Sequence, residues 1–410
     1  MSTTAPEVPK ALVDAILGGD CVAFVGAGFS WEVVKGWADL LRRVGGTVPG
    51  VSNLLQKGDP LALEAAGQLI QDTLGTEAFE QALHGVAGSI DVGDPRIAHR
   101  RKWLLETPFH TILTTNFDNV LAGNAPDTED YGEVLRSDRP WWKRMDWLQD
   151  GADTTRVLKL HGDANGDHAR SPVVFSRRAY RHLLYSDRRY GDFLRTLFAT
   201  RAVLFLGTSF TDAYLNEIRS EVLSLVGKNA RAWAVLPDRS EAEIGYFQKD
   251  EGIEVLSYSS VGGHQGFDRW LEAIHQKTST LARLRRLVGG QQLVWVDDNK
   301  NNHRGIQRLR EAGATVTLLA RADELQQAAH QHAALIISKF AHGEGTGNAV
   351  LAKVASWGVR PPVIIFASGA FANENRQTVL RRGAFEYCSG WQELFRTIER
   401  LASPREDRRP

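Results

Sequence analysis

The chain has 410 residues, 43% of them hydrophobic and 24% charged, which places it near the globular average and far from the low-hydrophobicity, high-charge corner where disorder lives. Lys+Arg and Asp+Glu both total 49, so no global field gathers nucleic acid, and direct nucleic-acid binding is not expected. Cys21 and Cys388 are the two cysteines, which excludes a disulfide framework and a four-cysteine zinc site and predicts a reducing, cytoplasmic setting. The N-terminus lacks a leader pattern and no apolar stretch approaches membrane-spanning length, so neither secretion nor a membrane is expected.

At roughly 150 residues per domain, the length predicts two or three domains. Short β-branched runs recur along the first part of the chain: Cys21 to Val25, Thr111 to Thr115, Val157 to Leu160, Ala202 to Leu206, Arg231 to Leu236 and Ile253 to Tyr258. Separated by helical segments, they read as the strands of a buried, largely parallel α/β sheet. The span between the first two runs carries amphipathic stretches such as Leu61 to Leu74 and Glu77 to Val86 and predicts a helical insertion. Residues 8–280 therefore form a first domain, and 281–290, ending in a Gly-Gly pair, a linker. Within 291–402 the pattern restarts with strands Leu293 to Val296, Thr315 to Leu319, Ala334 to Ser338, Val363 to Ala367 and Phe385 to Cys388. Gly313, Gly358 and Gly383 close helices between them. Five such units in about 110 residues are the flavodoxin-like doubly wound pattern. Residues 403–410 read as a disordered tail.

Four strand ends of the first domain carry chemistry. Gly26-Ala27-Gly28-Phe29-Ser30 is a strand-to-helix turn in which missing Cβ atoms let backbone N–H groups approach phosphate oxygens. Such turns also close ordinary βα units, and Trp31 stands where the third glycine of a dinucleotide fingerprint would fall, which disfavours an NAD dehydrogenase. Asn116 and Asp118 put an amide and a carboxylate at the carboxyl edge of the sheet, though both residue types also cap helices. His161-Gly162 places an imidazole at the same edge, able to switch charge near neutral pH or simply to pack. Gly207-Thr208-Ser209-Phe210-Thr211-Asp212 adds hydroxyls and an acid.

Taken in order, GAG-x-S, N-x-D, HG and GTS resemble the sirtuin family, and in particular its NAD-consuming bacterial defence branch, over roughly residues 12 to 275. The resemblance implies a Rossmann-like sirtuin domain. It implies that Gly26, Ala27, Gly28 and Ser30 cradle the NAD pyrophosphate and that Asn116 and Asp118 meet the nicotinamide ribose. His161 is then the catalytic base, Gly207 and Ser209 hold the adenosine half, and Asp212 extends that turn. The departures are equally informative. Deacetylases of this family carry a four-cysteine zinc module between HG and GTS, whereas Asp163 to Leu206 contains no cysteine, so no zinc is expected. Thr115 replaces the usual glutamine, and Trp31-Glu32-Val33-Val34 replaces Gly-Ile-Pro-Asp-Phe-Arg. These changes argue against acyl-lysine chemistry and leave rupture of the nicotinamide–ribose bond with water, Asn116 and His161 being the catalytic pair. The alternatives are an ADP-ribosyl transferase or deacylase, and a non-catalytic NAD or ADP-ribose sensor.

Two further segments stand out. Arg139 to Trp147 holds three tryptophans and reads as a lid, a partner surface or a surface helix burying its Trp faces. Leu293-Val294-Trp295-Val296-Asp297-Asp298-Asn299 resembles the opening of a response-regulator receiver domain, although a Toll/interleukin-receptor-like domain shares the architecture. Paired acids at this place hold magnesium in receivers, but here the third strand lacks the phospho-accepting aspartate, Cys388 lies where a lysine is expected, and helix capping is the simpler role for Asp297 and Asp298. The loop His342 to Asn348 is either a phosphate-binding turn or a flexible surface loop. An NAD hydrolase left unregulated would drain the cofactor pool. Regulation is therefore expected through homo-oligomer formation, a partner protein, or a signal molecule at the C-terminal domain.

Overall fold

The computed structural model describes residues 5–121, 134–135, 156–165, 173–186, 188–210, 216, 219–220, 231–298, 303–340, 346–367 and 372–402. They divide into two compact units, Met1–Thr278 and Ser279–Pro410.

The first unit is built on a parallel sheet of seven strands among the described residues: β1 (Cys21–Val25), β2 (Thr111–Thr114), β3 (Val134–Leu135), β4 (Arg156–Lys159), β5 (Ala202–Leu206), β6 (Ala232–Pro237) and β7 (Ile253–Tyr258). Their spatial order is β3-β4-β2-β1-β5-β6-β7. Strand β1 is buried at every position because both of its faces are covered. Successive side chains of a strand point to opposite faces. Cys21, Ala23 and Val25 accordingly pack with Leu12, Ile16, Leu104 and Trp270. Val22 and Phe24 pack with Tyr190, Phe193 and Leu197 on the other side. Each such side chain contributes about 1.5–3 kcal/mol on full burial, which is why an unbroken apolar run is needed here and an alternating one would fail.

Chain order reverses in space at β1. The chain leaves β1 toward β2 on one side and, after β4, returns to β5 on the other, with Val22 paired to both Thr111 and Val203. The carboxyl ends of β1 and β5 therefore flank a topological switch point, where open α/β sheets form a ligand crevice. The expected strands appear with ends shifted by at most one residue; β3 was not anticipated, being only two residues long.

Between β1 and β2 lies the expected helical insertion: Gly36–Val44, Val51–Lys57 and Pro60–Leu83. The long helix starts where Asp59 accepts from the Ala62 amide at 2.9 Å and Pro60 occupies the first turn, a strong start signal. It breaks at Gly75, whose φ of 72° lies outside helical space. The insertion has its own core, with Leu41, Ile70 and Phe79 around Phe117 and Phe175, so it grips the residues that follow β2.

The second unit contains a five-stranded parallel sheet, β8 (Gln292–Val296), β9 (Thr315–Leu319), β10 (Leu335–Lys339), β11 (Val363–Phe366) and β12 (Glu386–Cys388), ordered β12-β11-β10-β8-β9. In the unit's own numbering this is 2-1-3-4-5, the flavodoxin-like order that receiver domains share. Leu293 and Trp295 face one core, Val294 and Val296 the other. The expected linker at 281–290 is corrected: Thr280–Val288 is a helix, capped by Ser279, and Leu284 and Val288 are buried in the second core. Its apolar positions at i and i+4 form a helical stripe that the adjacent glycines had masked. The Trp-rich segment 139–147, residues 341–345 of the Gly-rich loop, and the tail 403–410 lie outside the described residues.

Candidate active site at the switch point of the first sheet

The turn after β1 and the turn after β5 lock into each other. Gly26 donates its N–H to Leu206 O at 2.9 Å and Gly28 donates to Gly207 O at 2.8 Å. A Cβ on Gly26 would stand 2.7 Å from Gly207 O, and one on Gly28 2.8 Å from the same atom. Gly207 itself has φ of 63°. The glycines are thus required by the approach of two backbones. This differs from the phosphate role read for the amides of Gly26 and Gly28, which are already donated within the protein. Ala27 and Gly28 remain exposed on the outer side of the turn, while Phe29 and Ser30 are buried beneath it.

Asn116 is held over this turn. Its Nδ2 reaches Gly26 O at 3.2 Å and Ser30 Oγ at 3.3 Å, and its backbone N–H donates to Thr114 Oγ1 at 3.1 Å. Thr114 in turn donates to Val25 O at 2.8 Å, so the end of β2 is stitched to the end of β1. With the amide nitrogen directed into protein, the side-chain oxygen is the atom Asn116 can offer a ligand. Asp118 is buried and hydrogen-bonded by the Ser30 hydroxyl and the Val120 amide. Burial pushes its carboxyl above the usual carboxylate range, against the opposing pull of the Lys159 ammonium and these two hydrogen bonds; the nearby Asp163 adds to the rise. Gly26, Gly28, Ser30, Asn116, Asp118 and Gly207 are therefore brought together.

His161 follows β4 and is 8% exposed. Its ring lies 6.5 Å from Phe117 and 5.2 Å, edge-on, from Tyr180, and Gly162 turns the chain away with φ of 93°. Aromatic contact thus ties the imidazole to Phe117, the residue that follows Asn116 in the chain. Ser209 is exposed beyond the β5 turn; Asp212 lies outside the described residues.

Two residues escaped sequence reasoning. Lys159, fully buried in β4, donates to Phe117 O at 2.9 Å and to Asp118 O, and pairs with Asp163 at 3.3 Å. A lysine inside an apolar strand run was the available signal. Arg100, 1% exposed, bonds Phe29 O at 3.1 Å and pairs with Glu32 and Asp268. It therefore braces the glycine turn from below; its placement between Ile97 and Leu104 on the buried stripe of helix Pro95–Glu106 would have marked it. Of the hydroxyls expected after β5, Thr208 Oγ1 is buried with no hydrogen-bond partner among the described residues. No group of three or more His, Cys, Asp or Glu side chains that could hold a metal occurs among the described residues. Nor is any described helix long and apolar enough to cross a membrane.

Comparison with known proteins gives a family match within the first unit. Residues 110–256, from the approach to β2 through most of β7, match the family model described as SIR2-like domain. Over 236 residues the chain is 25% identical to NAD(+) hydrolase ThsA of Enterococcus faecium, a match covering 54% of this chain and 44% of that protein. The chain thus spans less than half the length of this relative. Among solved structures, the receiver domain of the Francisella response regulator 1452 is similar over 27% of this chain and 94% of its own, at 22% identity and a TM-score of 0.24. The receiver domain of a Pseudomonas aeruginosa sensor histidine kinase is similar over 28% of this chain and 100% of its own, at 24% identity and a TM-score of 0.25. The first unit is thus similar to SIR2-like domains over residues 110–256.

Proposed function

We propose that the first unit is an NAD glycohydrolase: water replaces nicotinamide at the anomeric carbon of the ribose, giving nicotinamide, ADP-ribose and a proton. The observation that carries this reading is the convergence of the Gly26–Ser30 turn, Asn116 and the Gly207 turn at the switch point of a parallel sheet. The resemblance to an NAD(+) hydrolase supports it, and so does the absence of cysteine from Asp163 to Leu206, which removes the zinc-braced clamp an acyl-lysine substrate would need.

In this reading the pyrophosphate rests on the exposed Ala27 and Gly28, with Thr208 and Ser209 beside the adenosine half. Departure of nicotinamide builds oxocarbenium character on the ribose, which fixed dipoles stabilise without reorganising. Asn116 Oδ1 orients a ribose hydroxyl or the attacking water, Asp118 holds Ser30 and Asn116 in register, and His161 accepts the proton released by water. The reading extends to a defence effector that depletes NAD and is switched by self-assembly or by a signal read by the second unit.

Purified full-length protein incubated with NAD at several protein concentrations should release nicotinamide and ADP-ribose in equal amounts. Asn116→Ala and His161→Ala should each lower turnover by roughly 100-fold or more while remaining folded. Nicotinamide in excess of ADP-ribose would point to transfer onto an acceptor, and wild-type rates in both variants would sink the assignment. Specific activity rising with concentration would mark assembly as the switch.

A further inference from the structure

The Asn116-Phe117-Asp118 segment is a short loop at a strand end, and loops of that kind do not hold a side chain to catalytic tolerance by themselves. What lies under it is a single ammonium. Lys159 leaves β4 with a side chain 0% exposed, and its Nζ donates to two successive carbonyls of the loop, Phe117 O at 2.9 Å and Asp118 O. Its third partner is Asp163 Oδ1 at 3.3 Å, on a carboxylate 1% exposed. An ammonium has three donors, enough to reach both loop carbonyls and the carboxylate together. The same Asp163 oxygen accepts the Asn165 amide at 3.0 Å, and Ala164 donates its N–H to Phe117 O at 3.0 Å. One cation thus joins the turn bearing Asn116 and Asp118 to the turn bearing His161 and Gly162.

A fully buried lysine is costly to desolvate, and replacement of a buried ion pair by apolar residues is often neutral or stabilising. Fold stability alone therefore gives no reason for a cation here. Two carbonyls that must both point at the same place do.

We infer that Lys159 is a positioning residue for nicotinamide–ribose cleavage: by holding the Phe117 and Asp118 carbonyls, and through Asp163 the following turn, it fixes Asn116 and His161 in their mutual geometry. This rests on the hydrolase reading above. Lys159 and Asp163 touch no substrate in it and act only through the two loops.

The test separates stability from geometry. Lys159→Met alone strands the Asp163 carboxylate in the interior and lowers the thermal midpoint steeply. The double variant Lys159→Met/Asp163→Leu removes both charges and should recover most of that midpoint. If Lys159 positions the loops, NAD turnover in the double variant stays down by roughly 100-fold, the scale expected of an ångström-sized misplacement, with KM for NAD close to wild type because the glycine turns are untouched. Recovery of both the midpoint and kcat would overturn the inference and leave Lys159 as an ordinary buried ion pair. A loss confined to KM would overturn it equally, since it would place Lys159 in binding. A wild-type protein that turns over no NAD at any concentration overturns the hydrolase reading, and the inference with it; the wild-type control therefore tells the two failures apart.

Discussion

Both units are doubly wound parallel sheets with a switch point beside their first strand, yet their carboxyl edges are finished in opposite ways. In the first unit the two strand ends meet through glycine backbones, Gly26 and Gly28 against Gly207, and the polar side chains Ser30, Asn116 and Asp118 are stacked beneath the opening. In the second unit the acid after β8, Asp298, is bridged by Lys339 from the end of β10. One edge is drawn together by residues without side chains, and the other, among the described residues, is bridged by an ion pair. Architecture puts a crevice at both places; the residues at the strand ends decide whether there is room and chemistry for a ligand.

Breaking the first edge should be far more damaging than breaking the second. Arg100→Met removes the guanidinium that ties Phe29 O, Glu32 and Asp268, and leaves two partly buried carboxylates facing each other. A destabilisation of about 3 kcal/mol, read by denaturant titration, is expected. Gly207→Ala comes next, placing a methyl against the Gly28–Phe29 backbone at a left-handed φ. A cost of about 1–3 kcal/mol and loss of NAD turnover are expected, whereas a stable, fully active variant would contradict the interlocked-turn description.

Acid should act with opposite sign on two carboxyls, one in each unit. Glu386 in the second unit would be raised by burial, but Arg400, the Tyr387 amide and Arg376 together hold it below the usual carboxylate range. A depressed carboxyl contributes stability above its unfolded pKa, about 4.3, and loses it as pH falls through the folded value. Asp118 is shifted the other way. A raised carboxyl contributes at low pH and loses that contribution as pH rises through the range above about 3.9. Melting curves from pH 7 to pH 3 should therefore show Glu386→Gln flattening the acid-side loss, while Asp118→Asn removes a compensating gain; indistinguishable profiles would refute the opposed shifts. The smallest effect is expected from Lys339→Ala, whose partner Asp298 is 63% exposed. It should change stability by less than about 1 kcal/mol and leave NAD turnover unchanged, and a loss of turnover would mean the second edge takes part in catalysis.

How much of this was legible beforehand follows from periodicity. Strands β1, β5, β7 and β9 appear with the expected ends because each is an apolar run bounded by glycine, asparagine or charge. The helix Thr280–Val288 is masked in the sequence because Gly289 and Gly290 favour a break and its apolar stripe is only two turns long. Arg100 and Lys159 were legible only as anomalies, charges in otherwise apolar patterns whose partners come from 168 and 41 residues away.

The sequence by itself determined two doubly wound sheets and the set of strand-end residues, because hydrophobic period and local turn chemistry are properties of neighbouring residues. Tertiary structure alone decided that the amides of Gly26 and Gly28 serve the β5 turn, that Glu32 answers to Arg100, and that one buried ammonium holds the loop carrying Asn116. Those are contacts between segments far apart in the chain, fixed by strand order and close packing, and no local pattern records them.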